Sequence, residues 1–287
     1  MRTRAYVLAL TAIVLWSTLA SIAAHLHGQD PLVTTGIGLC IGGSLGLVHV
    51  WSWLVPWRTL VVGCAGIFGY HILYFTAFTC APALEVNVLN YLWPLAMVLL
   101  APLIVGGRLR GLQVLGAGLG VLGTVVLLAG TSGTVRSGNA IGYGLALGAA
   151  GIWATYSLLT KRLPPFPTAA VGGFCLASGV LALLSTAVMH GHVITQMHAL
   201  SAADWALLVL AGIGPLGIAF YCWDAALKCG DPATIAVLAY LTPVLSSILL
   251  MITLHRALTL PTAIALVMVV MGACLATRVR PALMDGF

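Results

Sequence analysis

Apolar runs of spanning length follow one another along nearly the whole chain, separated by short polar breaks. They predict helices near 5–24, 32–54, 59–78, 83–104, 111–130, 138–159, 168–189, 203–227, 232–254 and 260–277. About 20 apolar residues in a helix cross the hydrocarbon core of a bilayer. The breaks carry turn formers: His27-Gly28-Gln29-Asp30-Pro31, Gly106-Gly107-Arg108, Thr131-Ser132-Gly133, Leu163-Pro164-Pro165-Phe166-Pro167 and Gly230-Asp231-Pro232. The run after Met1-Arg2-Thr3-Arg4 is longer than a secretory signal core, so it reads as a retained first helix.

Composition turns this pattern into a fold class. The 287 residues are 61% hydrophobic and only 6% charged, against about 25% charged in soluble domains. Mean hydropathy is +1.10. An all-α membrane protein of ten transmembrane helices is expected, with the lipid bilayer as its solvent. The net charge of +6 comes with no basic tract for nucleic acid.

The placement of the charges tests the count. With the N-terminus inside, alternate segments collect Arg2, Arg4, Arg58, Arg108, Arg110, Lys161, Arg162, Lys228, Arg278 and Arg280, and the opposite loops hold only Arg136 and Arg256. Cytoplasmic loops carry the Lys/Arg excess. Both termini are therefore expected in the cytoplasm. Trp51, Trp53 and Trp57 near the inner end of span 2, and Trp205 opening span 8, fit interfacial tryptophan.

A shift of 149 residues aligns Tyr91-Leu92-Trp93-Pro94 with Tyr240-Leu241-Thr242-Pro243. The same shift pairs Cys80 with Cys229, Leu109 with Leu258 and Gly123 with Gly272, and a shift of 137 pairs Trp16 with Trp153. Two five-helix repeats are expected, 1–135 and 136–287, acting as one unit. Five is odd, so the second repeat enters the membrane inverted. Inverted repeats characterise secondary transporters, in which two halves exchange conformations around one site.

Glycines four apart (Gly38, Gly42 and Gly46; Gly116 and Gly120; Gly144 and Gly148) suit close helix packing in lipid. Gly42-Gly43-Ser44-Leu45-Gly46 matches the serine-hydrolase elbow in letters only, because it lies inside an apolar helix rather than at a strand–helix turn. Cys40, Cys64, Cys80, Cys175, Cys222, Cys229 and Cys274 form no C-x-x-C pair and read as small hydrophobes. Six of the eight histidines fall in outer loops, where two H-x-H pairs are simply polar loop residues; no metal site and no cofactor is expected.

Polar groups inside spans carry the candidate chemistry, since they are costly there. In span 4, Asn87, Asn90, Tyr91 and Pro94 share one helical face, with Trp93 beside them. Pro94 lacks an N–H and loosens the ladder near Asn90; Pro243 holds the equivalent hinge position. Solute binding and interhelical hydrogen bonding both fit these amides. His71, Tyr74 and Phe78 share a face of span 3. Trp16, Trp153 and Tyr240, near mid-membrane depth, either line a cavity that would suit an amphipathic solute or pack the bundle, and Tyr221 is a further aromatic candidate for the cavity. Glu85 and Asp224 are candidates for a proton relay, although Glu85 also suits a helix N-terminus and Asp224 an ion pair with Lys228.

The Tyr-Leu-x-Pro motif in the fourth helix of each half resembles the EamA-type drug/metabolite transporter superfamily. Glu85-Val86-Asn87-Val88-Leu89-Asn90-Tyr91-Leu92-Trp93-Pro94-Leu95 is similar to its bacterial aromatic amino-acid exporters in particular. The resemblance implies ten helices around a central cavity and export, by alternating access, of amino acids and related amphipathic compounds. It implies no enzymatic activity. Asn90, Tyr91, Trp93 and Pro94 match its helix-4 motif. Ala239 and Thr242 replace Asn90 and Trp93 in the second copy, so the substrate contacts are expected to be lopsided. The rival readings are a carrier for another metabolite and, from a different class, an intramembrane enzyme using His71. A monomer suffices for either kind of carrier.

Overall fold

The computed structural model describes residues 2–26, 29–81, 86, 89–106, 108–129, 140–191, 193–253 and 260–277. These residues fold into helices with no strand among them. In lipid a segment must satisfy its own backbone hydrogen bonds, and a helix does so without a neighbour. The helices are α1 (Arg2–Ser17), α2 (Leu19–His25), α3 (Pro31–Ser44), α4 (Trp57–Cys80), α5 (Trp93–Ile104), α6 (Gly111–Ala129), α7 (Ala140–Leu159), α8 (Ala170–His190), α9 (Val193–Ala199), α10 (Ala202–Ile213), α11 (Ala219–Cys229), α12 (Pro232–Leu238), α13 (Leu241–Thr253) and α14 (Leu260–Thr277).

Local chemistry sets several boundaries. Asp30 accepts from the Leu32 and Val33 amides and starts α3, with Pro31 in its first turn. Asp231 does the same for α12 through Thr234, again followed by proline. Ser201 and Asp204 form a reciprocal capping box on α10. Gly191 ends α8 in the left-handed region, with φ +70°.

Each expected span has a helical counterpart, but several are broken. The expected straight helix 5–24 divides at Thr18, whose amide bonds back three residues to Leu15. The expected helix 32–54 ends at Ser44, and Leu47–Trp53 continues as a tighter 3-10 helix turned by 87°. That turn lays Trp51 and Leu54 outward, where interfacial tryptophan is favoured. The eighth stretch is continuous from Ala202 to Cys229, with a π turn at Gly214–Ile218. Pro215 has no N–H to give there, which loosens the ladder. The fourth and ninth stretches break at Tyr91–Leu92 and Ala239–Tyr240, two to four residues before Pro94 and Pro243. The short helix α9 is not in the expected set. Among the described residues, Trp57–Cys80, Ala170–Met189 and Ala202–Cys229 are each long and apolar enough alone to cross a membrane.

The most extensive helix pairings are α6 with α14, α3 with α8, α4 with α7, and α1 with α11. Glycine makes the closest of these. A Cβ on Gly42 would stand 2.3 Å from the Leu216 carbonyl oxygen, and one on Gly43 2.5 Å from the Leu176 nitrogen. Gly120 lies under the Tyr240 ring. Gly144, by contrast, has nothing within 4 Å of such a Cβ, so the expected packing role does not hold there.

Candidate functional site

The broken helices surround a cavity of about 570 Å³. Its floor is a cluster of indoles and one phenyl ring. Trp16 meets Trp223 at 5.1 Å between ring centroids, Trp153 at 5.8 Å and Phe220 at 6.0 Å. Trp93 lies 5.5 Å from Trp223 with the rings nearly perpendicular, an edge-to-face contact. Two indole N–H groups are used structurally. That of Trp16 donates to the Pro215 carbonyl at 3.0 Å, inside the π turn. That of Trp223 donates to Ser157 Oγ at 3.1 Å.

One wall comes from α4. Tyr70 and Tyr74 stack at 5.5 Å, Phe78 stands edge-on to Tyr74, and Tyr70 also contacts Trp153. These residues recur every three to four positions and so share one helical face. His71 lines the cavity while its Nδ1 donates to the Ile67 carbonyl at 2.7 Å, which assigns the Nδ1–H. The polar groups in the lining include Asn90 and Thr242 at the helix breaks, Ser246 further along α13, and Gln29, Thr34 and Thr35 toward the mouth. Asn90 Nδ2 donates to the Tyr70 hydroxyl at 3.2 Å. The lining reaches the exposed Pro31 between α2 and α3, so the cavity opens at that end of the bundle.

The opposite end is closed and holds the basic residues. The Lys161 ammonium donates to the Gly230 carbonyl at 2.8 Å, and the Arg162 guanidinium donates to that of Ile104. Burial pulls the Lys161 ammonium below the ordinary lysine range, with Asp231 opposing. Gln113 Nε2 donates to Asp231 Oδ2 at 2.8 Å. Lys228 pairs with Asp224 at 2.6 Å, sits 3.7 Å from the Phe166 ring centroid and donates to the Phe166 carbonyl. Thr168 completes this group by donating to Asp224.

Of the expected substrate residues, Asn90, Tyr91, Trp93, His71, Tyr74, Trp16 and Trp153 line the one cavity. Tyr221 and Tyr240 do not. The Tyr221 hydroxyl donates to the Gly42 carbonyl among the packed glycines, and Tyr240 is fully buried. Asp224 is engaged in the ion pair at the closed end, outside the lining. Glu85 and Asn87 lie outside the described residues, as do Arg136, Arg256, Arg278 and Arg280. Tyr70, Phe75 and Phe220 line the cavity without having been expected to. Tyr70 and Phe75 flank His71 and Tyr74 on the same helix, a signal available in the sequence. Phe220 sits just past the π turn, whose position follows from Pro215 only once the fold is known.

Comparison with known proteins agrees with this architecture. The chain is 38% identical over 286 residues to the aromatic amino acid exporter YddG of Ancylobacter novellus, covering 96% of this chain and 98% of that one. It is 29% identical to the protein of that name in Salmonella typhimurium, over 96% of this chain and 99% of the relative. It is 27% identical to the one in Escherichia coli, over 90% and 91%. A solved crystal structure matches with a TM-score of 0.88 at 38% identity, over 97% of this chain and 98% of that chain. The EamA-like transporter family matches twice, over residues 3–129 and 140–278. An all-helical chain with a cavity between broken helices, matched across both halves, belongs to the EamA-like transporter family.

Proposed function

We propose that this protein is a secondary transporter that exports aromatic amino acids and related amphipathic compounds across the bacterial inner membrane by alternating access. The observation that carries the reading is the cavity: aromatic rings on its floor and wall, amide and hydroxyl groups at the helix breaks, and a closed end opposite its mouth. A flat apolar solute with a small polar end fits such a lining. The names of the relatives point to the same substrates.

Ten spans in two inverted halves, 1–135 and 136–287, are part of the proposal. The helix pairings support it. Exchanging the halves turns the α4–α7 contact into α11–α1 and the α5–α7 contact into α13–α1, and all four exist. The α3–α8 and α6–α14 pairs map onto themselves. The closed end holds Lys161, Arg162 and Lys228, which under the positive-inside rule supports a cytoplasmic closed end and an outward-open cavity. Asn90, Tyr91, Trp93, His71, Tyr74, Trp16 and Trp153 are the proposed substrate contacts.

Purified protein in proteoliposomes is expected to show saturable counterflow of labelled phenylalanine and tryptophan. Replacing Trp93 and Trp153 together with alanine is expected to reduce it at least about tenfold, because each ring contributes area and edge-to-face contact. Wild-type protein that moves neither amino acid overturns the reading.

A further inference from the structure

Two polar atoms in the cavity wall have no hydrogen-bond partner: Asn90 Oδ1 and Thr242 Oγ1. Each sits at a helix break. Asn90 precedes the Tyr91–Leu92 turn, and Thr242 is the second residue of α13. The remaining polar atoms of these residues are occupied where the structure records them. Asn90 Nδ2 donates to Tyr70, the Thr242 amide donates to Ala239 at 3.0 Å, and the Thr242 carbonyl accepts from Ser17 at 3.4 Å. Asn90 is only 4% exposed. Buried polar groups are paired as a rule, so an orphan in the wall of a cavity marks a place where a ligand can complete the pairing.

Charge gives the second constraint. Among the described residues the lining contains no Asp, Glu, Lys or Arg. A ligand carrying a net charge finds no counter-ion there. A zwitterion carries both signs, and a neutral acceptor beside a neutral donor suffices to hold its two ends.

We propose that the two helix breaks together bind the head group of an amino acid, Asn90 Oδ1 accepting from its ammonium and the Thr242 hydroxyl donating to its carboxylate. The neutrality of Asn90 then selects amino acids over the corresponding aromatic amines. This rests on reading the cavity as an amino-acid site. Thr242 lies in the first turn of α13, whose N-terminal partial positive charge adds to the carboxylate side. With the head group at the breaks, the ring of the substrate is left to the Tyr70, Tyr74 and Phe78 wall.

Competition against labelled phenylalanine counterflow tests this, with phenethylamine lacking the carboxylate and 3-phenylpropionate lacking the ammonium. In wild-type protein both are expected to compete at least about tenfold less well than unlabelled phenylalanine. Asn90→Asp is expected to reverse the order, with phenethylamine gaining about tenfold and phenylalanine losing ground. That gain also reports that the variant is folded. Thr242→Val tests the other end separately: phenylalanine and 3-phenylpropionate weaken together and phenethylamine stays unchanged. Equal competition by all three compounds in wild-type protein overturns the proposal, as does an unchanged ranking in both folded variants. If phenylalanine is not moved at all but labelled threonine is, with the same dependence on Asn90, the aromatic reading fails and the head-group site stands.

Discussion

Trp16 joins the aromatic cavity to the helix that bends beside it. Its ring faces the lumen, while its indole N–H donates to the Pro215 carbonyl in the π turn. A π turn leaves a carbonyl outside the regular ladder, and Trp16 provides the missing donor. The bond is neutral and sheltered, worth about 1 kcal/mol. Trp16→Phe keeps an aromatic ring on the floor and removes only the donor. If the bond holds the outward-open state, the substitution is expected to shift the balance of states by roughly fivefold, the equivalent of that energy. The readout is the ratio of phenylalanine binding from the two faces of oriented membranes. A change in total affinity with that ratio intact would assign Trp16 to ring contact alone.

Helices here approach each other through residues that lack side chains, and the approach is unequal from one glycine to the next. At Gly42 a methyl group would stand 2.3 Å from the Leu216 carbonyl oxygen and 2.7 Å from the Gly217 Cα. Both neighbours are backbone and cannot swing away. Gly42→Ala is therefore expected to cost about 1–3 kcal/mol as an overpacked site, seen as a lower melting temperature in detergent. Gly144→Ala, with open space around it, is expected to leave the melting temperature unchanged or slightly raised. The sequence spacing presents these two glycines as equals, because a four-residue period says which face they share and nothing about what meets that face. The same limit explains the other differences. Hydrophobic length is legible in any apolar run, so the helical stretches could be placed. The turn at Leu45–Gly46 and the break at Thr18 could not, since neither interrupts the hydrophobicity. The breaks before Pro94 and Pro243 were legible, because proline removes a donor wherever it stands. Seven of the cavity-lining residues were legible as rare polar and aromatic residues within spans. Tyr221 and Tyr240 lie outside the lining, and an aromatic that plugs a glycine contact looks, in sequence, like one that lines a lumen.

At the scale of the whole molecule, the proposed alternating access requires the closed end to open. Its contacts join segments from different parts of the chain: Lys161 to Gly230, Arg162 to Ile104, and Gln113 to Asp231. They are not equivalent. Arg162 is exposed and its bond is screened by water, whereas Lys161 is partly buried against a backbone carbonyl. A hydrogen bond to a charged group contributes about 1.5–3 kcal/mol when sheltered, so losing the Lys161 contact is expected to favour opening by about tenfold or more. Losing the Arg162 contact should favour it by a few-fold at most. Ser157 supplies a reporter. It is fully buried behind this end, under the Trp223 indole. In a background whose seven native cysteines have been replaced, Ser157→Cys is expected to react slowly with a membrane-impermeant maleimide applied from the basic side. Adding Lys161→Ala is expected to speed labelling several-fold or more, and adding Arg162→Ala much less. Labelling that is equally slow in both would mean that the indole cluster alone seals the molecule. The polar contacts beneath it would then be consequences of closure rather than its cause.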